Sequence, residues 1–141
     1  MKTLTLLLTA LFTFTNFLNF TAQNDKKTVS VVVNNLSNEG TLYISLYNSE
    51  DDFNIKKPLL SKHVIVKNGK INPIIFKDLP KGKYAIICFQ DMNDNQKLDF
   101  TSYMPDEPWG LSNNVVLMGP PSWDDAVFTV ENDTEIDIEL F

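Results

Sequence analysis

Lys83-Tyr84-Ala85-Ile86-Ile87-Cys88-Phe89-Gln90 is the stretch on which the fold turns. In extended backbone, successive side chains point to opposite faces. Ala85, Ile87 and Phe89 then share one face, while Tyr84, Ile86 and Cys88 share the other. Both faces are apolar, which predicts a central strand covered on both sides. Pro80-Lys81-Gly82 supplies the turn before it.

Upstream, the same reasoning yields more strands. Thr28 to Asn34 is rich in Val, and Asn35 to Gly40 is turn-like. Thr41 to Tyr47 alternates, with Leu42, Ile44 and Leu46 on one face and Tyr43 and Tyr47 on the other. Branched and aromatic side chains suit a pleated surface. Lys62 to Lys67 reads as a strand, Asn68-Gly69 as a tight hairpin turn, and Lys70 to Phe76 as its partner strand. Pro73 makes that partner an edge or a bulged strand, because Pro has no ladder donor. Between these segments, Asp51 to Leu60 has room for a short helical turn, limited by Pro58.

Downstream, Val115 to Met118 and Ala126 to Val130 are shorter strand candidates. Glu135 to Phe141 alternates acid and apolar residues, so Ile136, Ile138 and Leu140 face inward. Past the N-terminal stretch there is no long face of helical period. Seven or eight short strands separated by turns predict an all-β fold, an antiparallel β-sandwich. The hairpin spacing permits Greek-key order. A small β-barrel is the alternative.

The chain of 141 residues carries 12 Lys plus Arg against 18 Asp plus Glu, a net charge of -6. The acidic balance argues against nucleic acid as a partner. One Cys excludes a disulfide within the chain, and one His excludes a multi-histidine metal site. Met1 to Ala22 reads as a secretory signal: Lys2 gives a positive start, an apolar run follows, and Thr21-Ala22-Gln23 forms the junction. Cleavage after Ala22 leaves residues 23–141 as one domain. Asn16 and Asn19 cut the apolar run short of the roughly 20 residues that a membrane span needs, so no transmembrane anchor is expected in the mature chain. The expected location is periplasmic, outer-surface or secreted.

The sharpest motif follows the central strand: Asp91-Met92-Asn93-Asp94-Asn95-Gln96-Lys97-Leu98-Asp99. Oxygen-bearing side chains stand at its first, third, fifth and ninth places. Calcium takes six to eight oxygens, and a loop supplies them when alternate residues fold around one point. Asp91, Asn93, Asn95 and Asp99 are the candidate side-chain ligands, with the backbone carbonyl of Lys97 at the seventh place. Gln96 stands where such loops favour Gly, and Ser102 where they carry a bidentate Glu. Glu107 or Asp106 is the substitute ligand if the next loop folds back. The competing reading is an Asx-rich turn closed by its own side-chain-to-backbone bonds.

Trp109, Trp123 and Asp106 are candidate ligand or partner contacts, since exposed aromatics stack on sugars or grip proteins. Core filling is the alternative for both tryptophans. Cys88 reads as a buried small hydrophobe, and His63 as a surface strand residue. Ten acidic residues lie beyond Lys97, the last basic residue, which makes the C-terminal part an acidic face.

Several of these phrases together resemble the DUF2141 family of small exported bacterial proteins. They are Leu36 to Tyr47, the phrase Phe76-Lys77-Asp78-Leu79-Pro80-Lys81-Gly82-Lys83-Tyr84-Ala85, Asp91 to Asp99, Pro105 to Asn114 and Pro121 to Phe128. The family pattern carries Asn-Gly in the acidic loop and Gly before the following Pro. Asn95-Gln96 and Met104-Pro105 depart from it. The resemblance implies an exported β-rich domain and transfers no catalytic residues. The signal and its Thr-Ala-Gln junction look like those of Bacteroidetes exports. The leading expectation is a noncatalytic binding or structural module, stabilised by Ca2+, that meets an envelope protein or glycan. A hydrolase using Asp91, Asp99, Asp106 or Glu107 is the alternative, and an assembly subunit using an edge strand is a third.

Overall fold

The computed structural model describes residues 25–141. The expected signal segment, Met1 to Ala22, lies outside them. The elements are β1 (Lys27–Asn34), β2 (Glu39–Tyr47), α1 (Glu50–Asn54), β3 (Leu60–Lys67), β4 (Ile74–Leu79), β5 (Gly82–Asp91), β6 (Phe100–Thr101), β7 (Met104–Pro105), β8 (Trp109–Leu111), α2 (Trp123–Ala126), β9 (Val127–Val130) and β10 (Thr134–Glu139). No helix among the described residues is long and apolar enough to cross a membrane.

Two sheets form an all-β sandwich. One has the order β10-β1-β4, and the larger has the order β3-β2-β5-β8, with β9 also on β5. All strand pairs are antiparallel except β1 with β10, which is parallel. The alternating residues read from sequence meet between the sheets. Val29, Val31, Leu42, Ile44, Leu46, Phe76, Ile86 and Ile138 are fully buried there. Burying each such side chain contributes about 1.5–3 kcal/mol.

β5 does bury both faces. Tyr84, Ile86 and Cys88 enter the inter-sheet core. Ala85 and Ile87 join a second cluster on the opposite side, with Tyr47, Phe53, Leu111, Trp123 and Ala126. The two short helices provide this cover. Ser49 caps α1 by accepting the Asp52 N–H at 3.2 Å. The α1 residue Phe53 packs edge-on against Tyr47 and Trp123.

One edge of β5 is shared by two partners. β9 pairs with residues from Gly82 to Ala85, and β8 with residues from Ile87 to Phe89. The Ile86 N–H falls between them, where the Ser112 hydroxyl accepts it at 3.1 Å. That hydroxyl donates in turn to the Ala126 carbonyl. The two sheets also join near β8. Trp109 and Phe141 exchange backbone hydrogen bonds at 3.3 and 3.0 Å.

Two expectations need correction. Lys70 to Phe76 is not the hairpin partner of β3. Asn68 and Gly69 do adopt the left-handed conformation of a tight turn, yet only a single bridge, Lys67 to Lys70, closes it. Pro73 cannot extend that ladder, and Ile74 and Phe76 find better burial beside β1, where β4 pairs. Val115 to Met118 forms no strand, and Val116 and Met118 face solvent. Their branched and apolar composition lacks a neighbouring strand to pair with.

Gly110 marks the tightest approach of the two sheets. A Cβ there would lie 2.7 Å from both the Glu139 carbonyl oxygen and Ile138 Cγ2. Gly110→Ala is therefore expected to destabilise the fold by about 1–3 kcal/mol. Gly119→Ala, where a Cβ meets nothing within 4 Å, should change stability by less than about 0.5 kcal/mol. Paired urea denaturation curves check the contrast.

Candidate functional site

The acidic loop leaves β5 at Asp91, which is 1% exposed and acts as the loop's template. One carboxylate oxygen accepts the backbone N–H groups of Asn93, Asp94 and Asn95 at 3.2, 2.7 and 3.3 Å. The other accepts the Gln96 N–H at 2.7 Å. The chain is thus wound once around a single buried carboxylate. Asp94 and Gln96 both take the left-handed conformation, each with φ 62°. Such a conformation costs a non-glycine residue roughly 1–2 kcal/mol. Gln96 therefore adopts the shape that a glycine would supply, held there by its bond to Asp91.

The alternate side chains also converge. Asn93 and Asn95 each donate from Nδ2 to the same oxygen of Asp99, both at 2.7 Å. The Asn93 Oδ1 accepts the Asn95 N–H, and the Asn95 Oδ1 accepts the Lys97 N–H. Glu107 folds back beneath the loop and is 5% exposed. It accepts the Met92 N–H at 2.8 Å and the Asp99 N–H at 3.4 Å. Asp106 lies outside this group, where its carboxylate accepts from the Thr101 hydroxyl at 2.8 Å. The Lys97 side chain is exposed. Two amides and one carboxylate meet at the centre. Among the described residues, no three His, Cys, Asp or Glu side chains form a metal-holding group.

Burial pushes the Asp91 carboxyl up, but the N–H groups of Gln96, Asn93, Asp94 and Asn95 outweigh that and hold it below its ordinary value. A depressed carboxyl stabilises the fold above its unfolded pKa, and the contribution is lost as pH falls through the folded one.

Beside the loop lies a cleft of about 740 Å3 over the outer face of the larger sheet. Ile87 and Trp109 of the larger sheet line it, together with Tyr47, Phe53, Phe100 and Tyr103. Trp109 is half-buried there, whereas Trp123 is buried under α1. Next to Trp109, a row of rings crosses four strands: His63, Tyr43, Phe89 and Trp109 are successive register partners. Tyr43 and Phe89 stack at 5.3 Å, so each spends a face on the other instead of offering it to a sugar.

Sequence reasoning missed Gln90 and Lys56. Gln90 is fully buried at an inward position. It donates to the Ser37 and Glu39 carbonyls and accepts the Ser37 N–H, which ties the β1–β2 turn to β5. Its inward place in the alternation was a readable signal. Lys56 lines the cleft through a turn that local sequence does not announce. Cys88 is buried as expected. Burial pushes its thiol up to about 12, against a weaker opposing effect from a backbone hydrogen bond with Gly110.

A family model described as "Uncharacterized protein conserved in bacteria (DUF2141)" matches residues 31–138. No curated protein and no solved structure matches the chain.

Removing the template should loosen the loop. Asp91→Ala is expected to cost roughly 2–3 kcal/mol at neutral pH. The variant's melting temperature should also fall less steeply than the parent's as pH drops below about 4, because it has no carboxyl to protonate. Thermal melts across pH check both. The Cys88 thiol should resist a disulfide reagent at neutral pH and react only at the rate of unfolding. Thiol labelling with and without denaturant measures that.

Proposed function

The chain belongs to the DUF2141 family, and from that premise we propose that it is an exported, noncatalytic binding module whose Asp91–Asp99 loop is stabilised by calcium. The observation that carries the cation reading is the convergence of Asn93 and Asn95 on one Asp99 oxygen, at 2.7 Å each. Residues at the third, fifth and ninth places of the loop thereby meet at one point, as a cation loop requires. Two amide N–H groups now neutralise that carboxylate. A calcium ion would take their place, with the amide oxygens of Asn93 and Asn95 turned toward it. Asp91, Asp99, Glu107 and the Lys97 carbonyl are the further candidate ligands.

That exchange has a cost. Asn93 and Asn95 also anchor the loop backbone through their side-chain oxygens. Turning the amides competes with those bonds, so binding belongs in the weak range of extracellular modules, with Kd about 10⁻⁴–10⁻³ M. Export is proposed on the Met1–Ala22 segment, and calcium in the millimolar range outside the cell would fill such a site.

The noncatalytic reading is supported by how the acids are used. Asp91 and Glu107 are buried and accept backbone N–H groups, half-buried Asp99 accepts from amides, and exposed Asp106 accepts from Thr101. A hydrolytic pair needs one carboxyl free to donate a proton and another free to attack or to activate water. The proposed partner is an envelope protein or a glycan met outside the cytoplasm.

Calorimetric titration with calcium tests the cation reading. Heat with a Kd of about 10⁻⁴–10⁻³ M, and stabilisation of about 1.4–2.7 kcal/mol at roughly 10 mM calcium, are expected. Both effects should vanish in Asp99→Ala. No heat and no shift in melting temperature would reduce the loop to a self-closed turn.

A further inference from the structure

We infer that the cleft over the outer face of the larger sheet binds a soluble single-chain carboxylate: an apolar tail lies along Ile87 and Trp109, and the acid group meets Lys56. This rests on the binding-module reading but not on the bound cation.

The cleft's size of about 740 Å3 falls within the roughly 300–1,000 Å3 of small-molecule sites. Its lining is apolar and aromatic, apart from Asn54, Ser102 and a single charged side chain, Lys56. Apolar walls with few polar groups are the pattern of a site that buries a tail and fixes one head. The sign of the head follows from Lys56, which has no ion-pair partner among the described residues. The chain's net charge of -6 opposes an anion, but charges beyond about 8 Å are largely screened at physiological salt, and Lys56 is the charged residue in the lining. At the cleft, the local cation decides.

Two backbone positions at the cleft make this arrangement specific. Lys56 follows the C-terminus of α1 in the left-handed conformation, with φ 55°. Its N–H bonds the Phe53 carbonyl at 3.1 Å, and the Lys57 N–H bonds the Asp52 carbonyl at 2.8 Å. That pattern is the helix stop in which Gly is usual. A lysine that lines the cleft therefore stands where backbone geometry prefers glycine. Across the cleft, Ser102 and Tyr103 form the tip of the β6–β7 hairpin with φ 50° and 73°. Asn-Gly is the usual choice for such a tip. Tyr103 is 93% exposed there. A bulky ring held in that conformation and bare to water is a lip for the tail to close against.

Titration of the protein with dodecanoate below its micelle concentration tests the inference, followed by tryptophan fluorescence and melting temperature. Saturable binding in the micromolar range is expected, with dodecyltrimethylammonium at least about fivefold weaker. Lys56→Gly should lose that preference while its melting temperature is no lower than the parent's, since Gly suits the position. Tyr103→Ser should weaken both ligands alike. No saturable binding, equal affinity for the two head groups, or dodecanoate affinity unchanged in both variants would overturn the inference. Association only with anionic lipid vesicles would also overturn it, in favour of a membrane surface. Each titration is run in calcium and in chelator. Heat from calcium without dodecanoate binding defeats this inference and leaves the cation reading intact, and the reverse result does the opposite.

Discussion

A strand with two apolar faces cannot be satisfied by one layer of partners, and β5 imposes that condition on the whole domain. Its inward residues Tyr84, Ile86 and Cys88 require the second sheet. Its outward residues Ala85 and Ile87 require something else, and the chain answers with α1, α2 and the segment between β8 and α2. That cover is partial. The covered half hides Trp123, and the remaining half lines the cleft and carries the ring row from His63 to Trp109. The site geography is thus a remainder left by incomplete burial.

The loop at the end of β5 follows a different logic, in which a charge organises the backbone. Asp91 is nearly as buried as the core residues, and its four N–H donors replace the water it has lost. Gln90, its neighbour, does the same on the inner side with three backbone partners. Among the described residues, no buried side-chain nitrogen or oxygen lacks a partner. Two adjacent polar residues thereby convert the end of an apolar strand into a fixed platform, which orders both the turn at Ser37 and the loop through Asp99.

Alternation made most of the sandwich legible. The pattern from Thr41 to Tyr47 and from Lys83 to Gln90 gave strands, faces and the double burial of β5 directly. Pairing was less legible. Asn68-Gly69 made a turn but not a hairpin, because partner choice depends on which sheet can bury Ile74 and Phe76. The parallel pairing of β1 with β10 is likewise a long-range choice with no local signature. At the site, Asn93, Asn95 and Asp99 meet as their spacing allows, whereas Asp91 turns to the loop backbone instead. The place of Lys56 at the cleft was hidden, since it sits at a left-handed position that glycine or asparagine usually announces.

The pairing of β1 with β10 also bears on when the domain can form. The core-facing valines of β1 lie between β4 and β10, so the smaller sheet stays open on one side until Thr134 to Glu139 exist. The Trp109–Phe141 exchange delays closure further still. A chain emerging in order from the ribosome therefore holds β1 unpaired on that side until β10 has been made. Contacts of such long range form slowly. The topology reserves the cooperative step for after β10 has been made.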